Sequence, residues 1–363
     1  MRVLFLVGRE IQYARNQVLL DAMRHFADVD VVARDSRPAS LLANSAAIAT
    51  RGAAMLARRR YDLVFVGFYG HLIVRTLAPL IRSPLLFDAF LSTYDTLCFD
   101  RQLYVPDSRI GRMAFQLDRS TGARADHVLL DTRQHVDYFV NTFGLPRTKF
   151  SAIPVGCSDT IYAPQPYAPP ASGPLRVLSY SSYMPLHGID TILRAAATLR
   201  DRDNAPDLRF RLIGDGALLP AMRALAAELA LENVEFLPPV PQSQLAREIA
   251  AADICLGGHF HDSCKAGRVI PGKIYQMLAI GRPVIAADTP ANRELLTAET
   301  SALMVPPSSP GALADAMQRL AADVSLRQRL ADAGRALYAA RAAQPVITQM
   351  VEATVRGMAG VNG

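Results

Sequence analysis

The chain has no tryptophan, only four cysteines and only three lysines in 363 residues, and each scarcity narrows what it can be. Cys98, Cys157, Cys255 and Cys264 form no CxxC pair and no framework spacing. That excludes a disulfide-stapled scaffold and reads as free thiols in a reducing compartment. His259, His261 and Cys264 cluster, but no second ligand pair at finger-like spacing follows, so no metal is expected. No apolar run is long enough to span a bilayer. The opening MRVLFLVGREIQYAR lacks the basic start, long apolar core and cleavage site of a signal peptide. Basic residues without interleaved aromatics give no nucleic-acid signature. Together these absences predict a cytoplasmic protein with no nucleic-acid partner.

What is present is apolar and periodic. Half of the residues are hydrophobic, ample for large cores, and the length suits two domains. Apolar strands at 2–7, 29–33, 63–67, 85–90, 127–130 and 151–155 alternate with helical patterns such as 16–26 and 41–56. After a Pro-rich stretch at 162–174, which reads as a stiff, extended linker, the pattern repeats, with strands at 175–179, 208–213, 234–237, 253–256, 283–287 and 302–305. From Pro310 the chain reads as helix, at 310–323, 325–342 and about 345–358. Buried strands alternating with helices predict parallel sheets covered on both faces. The expected class is therefore α/β, two Rossmann-like doubly wound domains facing a cleft. The first spans 1–165, with the C-terminal helix at about 344–363 packing back on it, and the second spans 175–343. The net charge of +6 is uneven: residues 1–165 hold 20 basic and 15 acidic side chains. A basic first half suits an anionic partner, and Arg51, Arg58, Arg59 and Arg60 with Met55 and Leu56 predict peripheral contact with the inner face of a membrane.

The lysines mark the site. In a chain whose cations are otherwise arginine, Lys265 and Lys273 fall within nine positions, with Arg268 between them. A strand at 253–256 precedes them. A polar loop carrying His259 and His261 follows it, and a helix with Pro271 near its first turn comes next. A cationic loop at a strand's carboxyl end, with a helix N-terminus beside it, is where an open α/β sheet binds an anion. Lysine offers a compact ammonium suited to phosphate. In the same half, Gly214-Asp215-Gly216 forms a strand-to-helix turn that permits close backbone approach to a nucleotide.

The two-domain pattern, the Pro-rich stretch and the segments RLIGDGALLPAMRALAAELALENVEFLPPVPQSQLAREIAAADICL and PGKIYQMLAIGRPVIAADTPANREL resemble the GT-B glycosyltransferases, specifically retaining family 4 (group 1). The similarity runs over essentially the whole chain and is strongest from Leu175 to Ala340. It implies the GT-B arrangement of a donor-binding second domain and an acceptor-side first domain. The family usually grips the diphosphate with an Arg and a Lys after the first donor-domain strand. Here that loop reads Ser181-Ser182-Tyr183-Met184-Pro185-Leu186-His187-Gly188, with His187 at about the Lys position. The family's two Glu, eight apart, correspond to Arg268 and Gln276. A PLHG loop with a K-x-x-R-V-I-P-x-K segment resembles one subgroup.

The resemblance implies metal-independent transfer of a sugar, with retention, from a nucleotide-diphosphate sugar, UDP- or GDP-linked, to a glycan or lipid-linked acceptor. No further cofactor is implied. The catalytic candidates are Asp88, Lys265 and Arg268. Donor contacts are assigned to Ser182, His187, Gly214, Gly216, His259, Lys265, Arg268, Lys273, Gln276 and Glu294. Gly8, Arg9, His71 and Asp95 are placed on the acceptor side. Two alternatives keep the fold: a nucleotide-sugar-binding partner subunit without activity, and a nucleotide-sugar epimerase. A dinucleotide oxidoreductase is disfavoured, since no GxGxxG follows the first strand.

Overall fold

The structure, a computed structural model, describes residues 1–34, 40–168 and 173–360. It contains two parallel six-stranded sheets in two compact units, Met1–Gly156 with Gln344–Gly363, and Cys157–Ala343. This is the doubly wound α/β class that the alternating pattern predicts.

In the first unit the strands are β1 (Arg2–Glu10), β2 (Asp28–Arg34), β3 (Leu63–Val66), β4 (Leu85–Asp88), β5 (His127–Leu130) and β6 (Phe150–Ala152). Its helices are α1 (Ala14–Arg24), α2 (Leu41–Arg58), α3 (His71–Leu77), the single turn α4 (Thr93–Asp95), α5 (Arg109–Arg124) and α6 (Arg133–Phe143). The strand order is β2-β1-β3-β4-β5-β6. Alternation along each strand feeds two cores: Val3, Phe5, Val7, Leu63 and Phe65 on one face, Leu4, Leu6, Val64 and Val66 on the other. Arg2 pairs in register with Asp28, and Val3 with Leu63, so one strand is buried between two neighbours.

In the second unit the strands are β7 (Leu175–Ser181), β8 (Leu208–Gly214), β9 (Val234–Leu237), β10 (Ile254–Gly258), β11 (Val284–Ala287) and β12 (Leu303–Val305). The helices are α7 (Ile189–Arg200), α8 (Leu219–Glu228), α9 (Gln242–Ala250), α10 (Gly272–Ile280), the short α11 (Asn292–Leu295), α12 (Pro310–Ala322) and α13 (Val324–Arg341). The order is β12-β11-β10-β7-β8-β9. Chain order therefore reverses between β7 and β10, and the crevice outside those carboxyl ends is where such sheets take ligands. The last helix, α14 (Gln344–Gly360), belongs to the first unit. Its Ile347, Val351 and Val355 join the core formed by Val18, Leu19 and Met23 of α1, a stripe at helical spacing.

The Pro-rich stretch differs from an extended linker. Residues 169–172 of it lie outside the described ones. Residues 162–168 pack on the second unit: Tyr162 is buried, and the Gln165 N–H donates to the Ile280 carbonyl at 3.0 Å. The buried Arg282 donates to the Gln165 and Pro166 carbonyls at 3.1 Å each and lies 5.3 Å over the Tyr167 ring. Proline removes backbone donors but leaves every carbonyl, and one arginine collects them.

Candidate functional site

The loops after β7 and β10 flank the switch point of the second sheet. The β7 loop turns through Pro185–His187 to Gly188, whose φ is 63°. A Cβ at Gly188 would lie 2.7 Å from backbone atoms of Phe260 and His261. Only glycine allows the two loops to touch there. The contact places the His187 and His259 rings 5.2 Å apart.

Lys273, on the first turn of α10, is only 7% exposed. Its Nζ donates to the Tyr180 carbonyl at 3.2 Å. Burial pulls its pKa down to about 8, so the ammonium is held where it is short of counter-charge. Burial, then the charges of Lys273 and Lys265, push His187 down to about 3. His259, 8% exposed, is lowered well below the ordinary imidazole range by burial, His187 and the same two lysines. Both rings are neutral at any physiological pH. His187 Nδ1 accepts from the Met184 N–H at 3.1 Å, so its proton resides on Nε2 and that nitrogen is a donor. Among the described residues, His259 Nδ1, His261 Nδ1 and Ser179 Oγ are buried without a hydrogen-bond partner. Native interiors satisfy nearly all such atoms; two of these three belong to histidines of the loop that also carries Lys265.

The other assigned donor residues divide. Lys265 and Arg268 are half-buried in the same loop, with the Arg268 N–H donating to the Lys265 carbonyl at 3.0 Å. The loop is pinned at two places, since the Ala291 N–H donates to the Gly267 carbonyl at 3.2 Å and Asn292 Nδ2 to the Gly258 carbonyl, at its start, at 3.4 Å. Gln276 sits one turn beyond Lys273, but its Oε1 accepts the Tyr180 hydroxyl at 2.5 Å, leaving the amide nitrogen as its donor. Glu294 lies half-buried in α11. Ser182 is exposed. A Cβ on Gly214 or Gly216 would come within 1.9 Å of the Ser181 or Ser182 carbonyl oxygen, so both glycines are required by the turn's own packing. The glycine turn nests against the β7 loop. Tyr180 and Asn292 were not legible as site residues, because a strand-end Tyr and a helix-start Asn carry ordinary structural readings.

The first sheet's carboxyl edge is built differently, and three assignments are corrected there. Asp88 and Arg15 are both 0% exposed and joined by an ion pair of 2.8 Å. Arg15 also donates to the Ile153 and Pro154 carbonyls at 2.6 and 2.9 Å. Burial raises the Asp88 pKa while Arg15 opposes it. A sealed carboxylate held by a guanidinium cannot touch a substrate, so Asp88 is structural and not catalytic. His71 is buried edge-on to Phe87 at 5.0 Å, 3.3 Å from Asp118 but outside hydrogen-bond geometry, with its pKa lowered by burial. Asp95 is also buried, its N–H held by Ser92 Oγ at 2.9 Å. Asp118 organises this turn, accepting from Ser92 Oγ at 2.6 Å and the Tyr94 N–H at 2.9 Å. Neither His71 nor Asp95 lines an open surface. Gly8 packs so closely that a Cβ would lie 2.2 Å from the Tyr69 carbonyl oxygen. Arg9 stays partly open, its guanidinium 4.9 Å over Tyr13 and paired with Glu10 at 2.9 Å. The basic end of α2 keeps its charge exposed, while Met55 and Leu56 are half-buried against the core.

Among the described residues no group of three or more His, Cys, Asp or Glu could hold a metal ion, and no helix is long and apolar enough to cross a membrane.

Comparison with known proteins agrees with this architecture. Residues 4–156 match the glycosyl transferase 4-like domain, and residues 175–323 match glycosyl transferases group 1. A D-inositol 3-phosphate glycosyltransferase of Nocardia farcinica is 30% identical over 220 residues, 57% of this chain and 48% of that protein. The chain spans about half the length of this relative, and 43% of a putative colanic acid biosynthesis glycosyltransferase, WcaL, of Escherichia coli. Sucrose-phosphate synthase of Thermosynechococcus elongatus has the same fold, with a TM-score of 0.79 at 18% identity over 99% of both chains. HepE of Anabaena, solved with UDP, gives a TM-score of 0.73 at 17% identity over 98% of this chain and 100% of its own.

Proposed function

The chain belongs to the group 1 glycosyltransferases of GT-B fold, and from that premise we propose that it transfers a sugar, with retention, from a nucleoside-diphosphate sugar to a hydroxyl of a glycan or lipid-linked acceptor. The observation that carries the reading is the buried Lys273 ammonium at the switch point of the second sheet, with the His187 and His259 imidazoles within reach of its charge and that of Lys265. Such a site lacks one thing, compact negative charge, and a diphosphate supplies it.

The chemistry follows from where charge develops. As the bond from the anomeric carbon to the β-phosphate oxygen breaks, negative charge grows on the diphosphate. Fixed cations in a water-poor site hold that charge better than solvent does. Lys273 and Lys265 are assigned to the phosphates, with Arg268 steadying the departing oxygen; cations in these roles make a metal unnecessary. The acceptor hydroxyl enters on the face the leaving group vacates, and its proton passes to the phosphate oxygen. His187 and His259, being neutral, hydrogen-bond uncharged hydroxyls of the donor and carry no proton in the reaction. The Gln276 amide and Glu294 meet the ribose, Ser182 and the Gly214–Gly216 turn border the nucleotide, and Arg9 beside Gly8 meets the acceptor. UDP is the first nucleotide to test, because HepE is solved with UDP-glucose; GDP is the second.

The test is turnover of UDP- and GDP-sugars by the full chain with and without EDTA. Donor-dependent release of nucleotide diphosphate, unaffected by chelation and lost in Lys265→Ala, is expected. Binding with no release to any acceptor or to water identifies an inactive subunit instead, a reading favoured by Arg268 and Gln276 standing where the family carries two Glu. Interconversion of the sugar without an acceptor identifies an epimerase.

A further inference from the structure

Six of the large hydrophobic side chains that remain exposed fall in one short stretch: Phe99, Leu103 (58%), Tyr104, Val105 (73%), Ile110 and Met113 (67%). A loose loop would be an uninteresting cause, but this one is fixed. The Leu103 N–H donates to the Leu97 carbonyl at 2.9 Å and the Ser108 N–H to the Val105 carbonyl at 3.0 Å. A Cβ at Gly111 would come within 2.3 Å of the Pro106 carbonyl oxygen, so the loop lies directly on the first turn of α5. Phe99 is braced from inside by Tyr94 at 5.4 Å, which in turn meets Phe115 at 5.3 Å. Ile110 and Met113, three apart, share a helix face that continues the strip. The backbone is satisfied while the side chains point at water, the reverse of what folding alone selects.

The charge around the strip is basic. Arg101, Arg109, Arg112, Arg119 and Arg124 are all exposed along the loop and α5, against the acids Asp100 and Asp107; Asp118 is turned inward. Apolar tips between arginines match the two layers of an anionic bilayer surface, acyl chains beneath phosphates. We infer that residues 99–113 dock the first unit on a membrane rich in anionic lipid, with Leu103, Val105 and Met113 entering the acyl boundary and Arg101 and Arg109 meeting headgroup phosphates. The surface is distinct from the basic end of α2, where Met55 and Leu56 are half-buried against the core. It stands independently of the donor site.

The test uses the full chain in flotation with vesicles of phosphatidylcholine alone or with 30% phosphatidylglycerol. Binding to the anionic vesicles only is expected. It should fall at least about tenfold in a Leu103→Ser, Val105→Ser, Met113→Ser variant and about twentyfold in Arg101→Gln, Arg109→Gln. Thermal unfolding should not change, because these side chains are exposed. Since the chain has no tryptophan, Val105→Trp supplies a single probe, and its emission should shift to the blue on anionic vesicles. Lys273→Ala should float as the unaltered chain does, which separates this surface from the donor reading. Failure of the unaltered chain to float, equal flotation of the triple-serine variant, or a tryptophan spectrum unmoved by vesicles overturns the inference. A dimer in light scattering that the triple-serine variant dissolves, without vesicle binding, also overturns it and makes the strip a self-association face.

Discussion

The carboxyl edges of the two sheets carry similar ingredients to opposite ends. At the first, a buried guanidinium meets a buried carboxylate and three backbone carbonyls, Ile153, Pro154 and Leu130. At the second, a buried ammonium donates to the Tyr180 carbonyl, and burial, reinforced by the lysine charges, lowers the pKa of the His187 and His259 imidazoles. A polar cluster that completes itself holds a fold together. One that leaves charge and lone pairs unmet costs stability and is retained for what it binds.

The sharpest way to break this contrast is at Asp88. Asp88→Ala strands the Arg15 guanidinium in the core, and urea unfolding should show a loss of about 3–5 kcal/mol. A stable variant with abolished turnover would return Asp88 to the catalytic role. Next comes Lys265→Ala, expected to lower kcat by about 10²–10³, equivalent to about 3–4 kcal/mol of transition-state stabilisation, with little change in Tm because Lys265 is half-buried at the loop surface. Lys273→Met should do two things at once. Its folded pKa, about 8 against 10.5, means the unfolded chain holds the proton more tightly; the cost is present below about pH 8 and is relieved as pH rises towards 10.5. Removing the charge should therefore stabilise the ligand-free chain by about 1–3 kcal/mol while abolishing donor binding. Calorimetry with a nucleoside diphosphate tests both halves. The smallest effect is on pH: donor affinity of the unaltered chain should be flat below about pH 8 and fall up to about tenfold per unit above it, as Lys273 loses its proton. An affinity that stays flat to about pH 10 would overturn the assignment of this titration to Lys273.

The strands were legible because hydrophobic runs and helical periods depend on neighbours a few positions away. The cationic loop after β10 was legible for a different reason, a rare residue type used twice in a short span. Arg15 was not, because an arginine in the first turn of a helix looks solvated until its partner 73 positions later is known. Asp118 hid in the same way within α5. The glycines at 214 and 216 read from sequence as room for a ligand, and the structure adds the Ser181 and Ser182 carbonyl oxygens that a Cβ there would meet. Sequence shows that space is needed and is silent on what fills it.

Tyr180 grips α10 with two different parts of itself. The lysine perches on its main-chain oxygen, which any amino acid would provide, and Gln276 leans on its phenol, which among the twenty only tyrosine offers. A substitution at position 180 therefore leaves the ammonium's seat intact but releases Gln276 and the phenol's longer bond to the Lys273 carbonyl at 3.5 Å. Seating the ammonium and fixing the glutamine's orientation are thus separable by one substitution.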